Sequence, residues 1–166
     1  ANRNLLDSGT LYVAKFDGAA GSGRGAGTWI PLVQGQNGLT AENGFPDQAT
    51  ILINTRAAAD RVGATMMDRP EWISANPNKR GEVLCTLTNN IRRGTNPASS
   101  NRNDGTTVAG SARPALDAAN PRTNNLWGHI IRWNEANGDP KATSFSWDFF
   151  VLAGQHLSAR NVQQHP

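Results

Sequence analysis

The chain has 166 residues, of which 37% are hydrophobic and 17% are charged, with 16 Lys and Arg against 13 Asp and Glu. Its length suits a single domain, and the low apolar fraction with abundant glycine favours strands and turns over long helices. A net charge of +3, spread along the chain, lacks the basic stripe typical of nucleic-acid binding. No apolar run approaches the roughly 20 residues that span a bilayer. The single cysteine, Cys85, excludes an internal disulfide.

The first predicted element is a β-hairpin. Residues 9–16 alternate apolar and polar positions, a glycine-rich stretch follows, and the strand pattern resumes over residues 28–33. Pro31 has no backbone N–H, so we expect the second strand to lie at an edge or to be interrupted there.

One helix is predicted next, over residues 48–62. Asp47 is placed to cap its N-terminus and Gly63 to end it. Its apolar residues Ile51, Ala58 and Val62 share one stripe, so we expect the helix to lie against the sheet.

Three further strands are predicted at residues 82–88, 126–133 and 145–152, each rich in β-branched or aromatic residues. Between the first two lies a segment of Asn, Gly, Ser, Thr, Pro and Arg, residues 94–124, and loops that long are usually functional or disordered. The pattern predicts a mainly β fold. Composition alone does not separate a β-propeller from a β-sandwich.

The stretch after the predicted helix carries the most chemistry. Asp68 and Glu71 flank Arg69 and Pro70, and the fixed φ of a proline stiffens such a loop. Carboxylate oxygens are ligands for hard cations such as Ca²⁺, and a guanidinium binds phosphate through two parallel hydrogen bonds. The residues fit a metal-assisted phosphoryl site. They also fit an arginine–carboxylate ion pair that pins a loop.

The same stretch resembles the most recognisable motif of the PhoX family of bacterial alkaline phosphatases. The resemblance covers residues 53–65 and then Met67-Asp68-Arg69-Pro70-Glu71-Trp72. Further blocks in family order are residues 81–90, 120–122, 125–133 and 145–154.

This resemblance implies an exported, periplasmic or secreted β-propeller enzyme that hydrolyses phosphate monoesters with a cofactor of iron and calcium ions. It implies that Glu71 is a metal ligand and that Arg69 holds the substrate phosphate. Both are therefore the candidate catalytic residues. Weaker candidates are Asn89, Asn90 and Arg122 for substrate binding, and Asp68 and Asn125 for metal binding.

Each weaker candidate has a structural alternative. Asn89 and Asn90 form a good turn pair, Asp68 can pair with a neighbouring arginine, and Arg122 and Asn125 can order the long loop. Alternation predicts that His129 is a hydrogen-bonded core residue and that Cys85 is a small buried hydrophobe. We expect the five tryptophans to belong mainly to the core.

The resemblance also implies that residues 1–166 are one fragment of a longer phosphatase domain, with one to two propeller blades of antiparallel strands, one helix and long loops. Such a fragment leaves sheet faces uncovered and lacks further metal ligands. We expect it to be marginally stable alone, inactive, and dependent on the rest of the parent propeller. The second hypothesis is a non-catalytic propeller scaffold that binds a structural calcium ion.

Overall fold

The computed structural model describes residues 8–95 and 113–154. The strands and α-helices are β1 (Tyr12–Asp17), β2 (Arg24–Pro31), α1 (Gln48–Ile53), α2 (Thr55–Arg61), β3 (Pro70–Ala75), β4 (Glu82–Leu87), β5 (His129–Glu135) and β6 (Ser144–Leu152). Within the described residues, all strands belong to one antiparallel sheet, in the order β1-β2-β6-β5-β4-β3. The two short helices follow the first hairpin.

The main core lies on one face of the sheet and is dominated by aromatic side chains. Strand alternation points these residues to the same side, where their rings pack edge-to-face or tilted. Gly27 makes room for one of them, since a Cβ there would lie 2.0 Å from the Phe145 ring. We call this group the aromatic core: Phe16, Trp29, Trp133, Phe145 and Trp147.

The sheet is curled, because its two edges are joined by a short segment. Thr65 pairs with β1, where its N–H donates to Ala14 and its hydroxyl accepts from Phe16 N. β3, at the opposite edge, begins only five residues later, at Pro70. Five extended residues reach at most about 18 Å. In a flat sheet the edge strands of six would be about 24 Å apart. Residues 66–69 therefore bridge the open side of the curl.

The helical region contains two helices rather than the single helix predicted over residues 48–62. Asn54 breaks it with φ −102° and ψ 41°, and its side-chain amide donates to Thr50 O instead of supporting a continuous helix. Asp47 caps α1 as predicted, accepting from Thr50 N at 2.7 Å. Ile51 and Ala58 are buried in a second, smaller core with Leu32, Leu39 and Phe45, against which Val13 of β1 packs.

The hairpin and the three later strands are confirmed, with shifted ends. β2 is interior to the sheet and ends at Pro31. β3 was not predicted: all six of its residues are exposed, so neither face shows an alternating burial pattern. β5 begins at His129 rather than 126, after Gly128 at φ 73°.

The core predictions for single residues are confirmed for His129 and Cys85, which are 2% and 5% exposed. For the tryptophans the prediction holds for three of the five. Trp72 and Trp127 are instead 77% and 48% exposed. Trp72 lies on the edge strand, and Trp127 precedes β5.

The mainly β class is confirmed, with one six-stranded sheet in the described residues. The finer assignment to propeller blades, and the treatment of residues 1–166 as one unit of a larger domain, stay predictions. Most of the long segment predicted at residues 94–124 lies outside the described residues. Of the helices that are described, none combines the length and the apolar character needed to cross a membrane.

Candidate functional site

Arg69 lies at the turn where the bridging segment enters β3. Its φ is +48°, a left-handed value that is uncommon for a residue with a side chain. Its backbone N–H donates to Met67 O at 2.9 Å, and its carbonyl accepts from Thr88 N at 3.2 Å. Its guanidinium makes one described contact, from Nη1 to Asn89 Oδ1 at 3.0 Å. The remaining guanidinium donors face no partner among the described residues.

A surface cleft of about 500 Å³ lies beside Arg69. We call it the Arg69 cleft. It brings together three of the predicted site residues, Arg69, Asn89 and Asn90, and it includes a second arginine, Arg92, that sequence reasoning missed. Its lining residues are Met66, Met67, Arg69, Asn89, Asn90, Ile91, Arg92 and Pro114.

Glu71 is exposed and is not among the residues that line this cleft. It lies in β3 at the register shift between Pro70 and Trp72, so it has no paired residue in β4. Its carboxylate makes no hydrogen bond or ion pair with the residues that the structure describes. Both oxygens therefore face no donor within this part of the chain.

Asp68 has the opposite surroundings. It is fully buried, and its carboxylate accepts three side-chain hydrogen bonds. Oδ1 accepts from Arg93 Nε at 2.7 Å and from Asn90 Nδ2 at 2.9 Å, and Oδ2 accepts from Asn125 Nδ2 at 3.0 Å. This is the geometry of the structural alternative, a pairing with a neighbouring arginine. We call these four residues the Asp68 network.

Arg93 was not singled out from the sequence, because nothing in a run of two arginines marks one as buried. Its side chain is 1% exposed. Besides Asp68 it contacts Asp117 Oδ2 at 3.3 Å and Ala115 O at 2.7 Å, and it donates to Met66 O through Nη2. A buried guanidinium needs such compensation, because an unpaired buried charge is strongly destabilising.

Asn125 and Arg122 form hydrogen bonds outside the Arg69 cleft. Asn125 is 1% exposed, donates to Asp68 and accepts from Gly128 N at 3.1 Å. Arg122 donates to the carbonyls of Ala153 and Gly128, at the end of the sheet where β5 starts. Partial burial lowers the pKa of its guanidinium. Arg122 does not line the Arg69 cleft.

The cleft is positive in character. Arg93 is neutralised by Asp68 and Asp117, whereas Arg69 and Arg92 make no ion pair with a described residue. The arrangement suits an anion. Among residues 8–95 and 113–154, no three His, Cys, Asp or Glu side chains converge in a way that holds a metal ion.

Comparison with known proteins places these features in a family. The model of the family described as alkaline phosphatase PhoX matches residues 1–166. The chain belongs to the alkaline phosphatase PhoX family. No match was found among curated proteins.

A solved structure agrees with the family model. It is Pseudomonas fluorescens PhoX in complex with vanadate, a transition state analogue, with 46% sequence identity and a TM-score of 0.77. The match covers 93% of this chain and 24% of that chain. The chain thus spans about a quarter of the length of the solved relative.

Proposed function

We propose that the chain is part of a metal-dependent alkaline phosphatase that hydrolyses phosphate monoesters. The observation that carries the proposal is the Arg69 guanidinium, which borders a positive cleft and uses one N–H to contact Asn89. An arginine has five N–H donors in a planar fork, so donors remain for two parallel hydrogen bonds to a phosphate.

In this proposal Arg69 binds the phosphoryl group and stabilises the charge that develops on its oxygens. Asn89 orients the guanidinium and lines the cleft as a polar contact for the ester. Asn90 also lines the cleft and was predicted to bind substrate, but its side chain already donates to Asp68 and accepts from Arg92 N. Met66, Met67 and Ile91 give the cleft an apolar side next to these groups. Arg122 was also predicted to bind substrate. This role requires that the longer protein place the ester at the end of the sheet where β5 starts.

Glu71 is proposed as a metal ligand. The fit is partial: its carboxylate accepts no hydrogen bond from the described residues, which leaves both oxygens available to a cation, but within the described residues Glu71 belongs to no group of three or more His, Cys, Asp or Glu side chains that could hold a metal ion. The remaining ligands of an iron and calcium cofactor must come from elsewhere in a longer protein. Bound metal ions would supply neutralisation of phosphoryl charge.

Asp68 and Asn125 were also predicted as metal ligands, and this stays a prediction. Their contacts weigh against it, because each Asp68 oxygen and the Asn125 side-chain oxygen already accepts a hydrogen bond. A cation there would also lie close to the Arg93 guanidinium, 2.7 Å from Asp68 Oδ1, and like charges repel.

The wider proposal follows from the length comparison. The chain spans about a quarter of its solved relative, and in this proposal it supplies Arg69 and Glu71 while other parts of a longer protein supply the rest of the active site. We propose that the 166 residues alone are inactive, that the sheet is one part of a propeller, and that the whole enzyme works in the periplasm or outside the cell.

The test uses the full-length protein that contains these residues. Arg69→Lys is expected to lower kcat/KM for p-nitrophenyl phosphate about 100-fold, because a lysine offers no bidentate fork. Glu71→Gln is expected to lower both activity and metal content. Arg24→Lys and Glu42→Gln, at exposed positions, are the matched controls.

The outcomes separate the two hypotheses. Hydrolysis that survives Arg69→Lys unchanged would contradict the proposed phosphate contact. Calcium binding without hydrolysis of any phosphate monoester by the full-length protein would favour the non-catalytic scaffold. Metal-dependent hydrolysis by the 166 residues alone would overturn the proposed inactivity.

A further inference from the structure

A buried carboxylate ties together the two loops that carry Arg69 and Asn89. Asp68 immediately precedes Arg69, and Asn90 immediately follows Asn89. The bond from Asn90 Nδ2 to Asp68 Oδ1, at 2.9 Å, therefore fixes one loop against the other one residue away from the contact between Arg69 and Asn89. Asp68 itself does not line the Arg69 cleft.

Arg93 fixes the approach to Arg69 from the other side. Its Nε donates to the Asp68 carboxylate at 2.7 Å, and its Nη2 donates to Met66 O. The Asp68 backbone N–H donates to Asn120 Oδ1 at 2.9 Å. Buried groups thus hold three parts of this segment: the Asp68 side chain, the Asp68 backbone N–H and the Met66 carbonyl.

The backbone of Arg69 needs this support. A non-glycine residue at φ +48° is held there only where the surrounding structure over-determines the conformation. The network supplies that constraint on one side, and the hydrogen bond from Thr88 N to Arg69 O supplies it on the other. Without them the turn is expected to relax and the guanidinium to leave Asn89.

We propose that Asp68 and Arg93 are positioning residues, which hold Arg69 and Asn89 in the geometry that receives the phosphoryl group. The identity of that group rests on the proposed function. The role needs no contact between Asp68 and a metal ion. It accounts for a fully buried ion pair next to a loop with an exposed arginine.

The decisive variant is Asp68→Asn in the full-length protein, which keeps the shape of the side chain and removes its charge. We expect kcat/KM for p-nitrophenyl phosphate to fall 10- to 100-fold, because small displacements of a binding group cost about that much. Iron and calcium content is expected to stay at the wild-type level. Asp60→Asn, at an exposed position of α2, is the matched control.

A double-mutant cycle separates positioning from a general structural effect. In the Arg69→Ala/Asn89→Ala background, Asp68→Asn is expected to cause no further loss of kcat/KM, because both residues it positions are already gone. Independent, multiplicative losses would overturn the proposal. So would a fall in bound metal with Asp68→Asn, which would instead make Asp68 a ligand.

If Asp68→Asn does not fold, Asn90→Ala takes its place in the same cycle. It removes one donor to Asp68 while Arg93 and Asn125 remain, so no buried charge is left unpaired. Its loss of kcat/KM is expected to vanish in the Arg69→Ala/Asn89→Ala background. An effect that persists there would overturn the positioning role.

A structural readout keeps the inference separate from the proposed activity. If the wild-type protein hydrolyses no phosphate monoester, the proposed function fails but the positioning role is still tested by crystal structures. In Asp68→Asn or Asn90→Ala, the contact between Arg69 Nη1 and Asn89 Oδ1, 3.0 Å in the native chain, is expected to be lost. Its retention in the variant would overturn the proposal.

Discussion

The aromatic core and the Asp68 network are both buried, but they hold the chain in different ways. The aromatic core is made of rings that pack at several angles and lie on consecutive antiparallel strands. Its stabilisation grows with the area removed from water and depends little on any exact partner. The network contains one ion pair and two amides, and each group depends on named partners at 2.7 to 3.0 Å.

The difference indicates a division of roles. Burial of rings supplies the free energy of folding, whereas a buried ion pair contributes little net stability and serves mainly to fix geometry. Asn90 of the network lines the Arg69 cleft, and Asp68 directly precedes Arg69. Because Arg69 is exposed and its backbone is left-handed, its loop depends more on specific hydrogen bonds than on apolar burial.

The largest expected effect is on the aromatic core. Trp147→Ala removes a side chain that is 3% exposed, together with hydrogen bonds from its indole N–H to the carbonyls of Asp17 and Ala26. We expect a loss of about 3–5 kcal/mol in the free energy of unfolding, measured by urea denaturation of the full-length protein. Trp127→Ala, at a position 48% exposed, is expected to change it by about 0.5 kcal/mol or less. Equal losses for the two variants would show that the core does not dominate stability.

The next effect is on the network. Arg93→Met leaves Asp68 buried without its cation, and we expect a loss of about 3 kcal/mol, the lower end for a broken buried pair, because two amide donors remain. Arg92→Met, one residue away and partly exposed, is the matched control, with an expected change of about 0.5 kcal/mol. Urea denaturation of both variants measures the difference. A network loss larger than that of Trp147→Ala would reverse the proposed division of roles.

The core was largely predictable from the sequence, for a physical reason. Alternation of apolar residues along a strand directly encodes which face is buried, and β5 and the first half of β6 show it. The sequence did not predict β3, because an exposed edge strand has no such pattern. It did not predict the break at Asn54, because a single residue interrupts an otherwise helical spacing.

The site was predictable only in part. The spacing of Asp68, Arg69 and Glu71 indicated charged chemistry in this loop, and the family resemblance is confirmed. The burial of Arg93 was not visible, because its partners Ala115 and Asp117 are more than 20 residues away and are brought near only by the tertiary fold. Sequence neighbours also do not reveal that Arg69 and Glu71, two residues apart, differ in whether they line the cleft.

His129 lies between the two regions, and it gives a smaller, pH-dependent effect. Its Nε2 donates to Ala119 O at 2.9 Å, since a carbonyl only accepts, and burial is the main cause that lowers its pKa below 6.5. Protonation of His129 is therefore less favourable in the folded chain than in the unfolded chain. The stabilisation is complete above the unfolded pKa of about 6.5 and is lost as the pH falls from there towards the folded value.

The melting temperature is accordingly expected to fall between pH 7.5 and 5.5, by less than Arg93→Met lowers it. His129→Gln is expected to flatten the curve in this window. The pKa of Glu82 is lowered by hydrogen bonds from Lys79 and Asn76, so the loss of its contribution begins at lower pH, around its ordinary value of 4.5. An unchanged slope in His129→Gln would assign the effect to another group.

The smallest expected effect is on the reactivity of Cys85, and it tests whether the aromatic core and the Asp68 network open independently. Burial raises the pKa of the Cys85 thiol, and the residue is 5% exposed within the core of the sheet. Only the thiolate reacts readily, so alkylation by iodoacetamide at pH 8 is expected to be slow in the native chain and fast in urea. Trp147→Ala is expected to speed native alkylation because it loosens the core that covers Cys85. Under conditions where Arg93→Met remains folded, that variant is expected to leave the rate unchanged, and a rate that rises equally in both would show that network and core open as one unit.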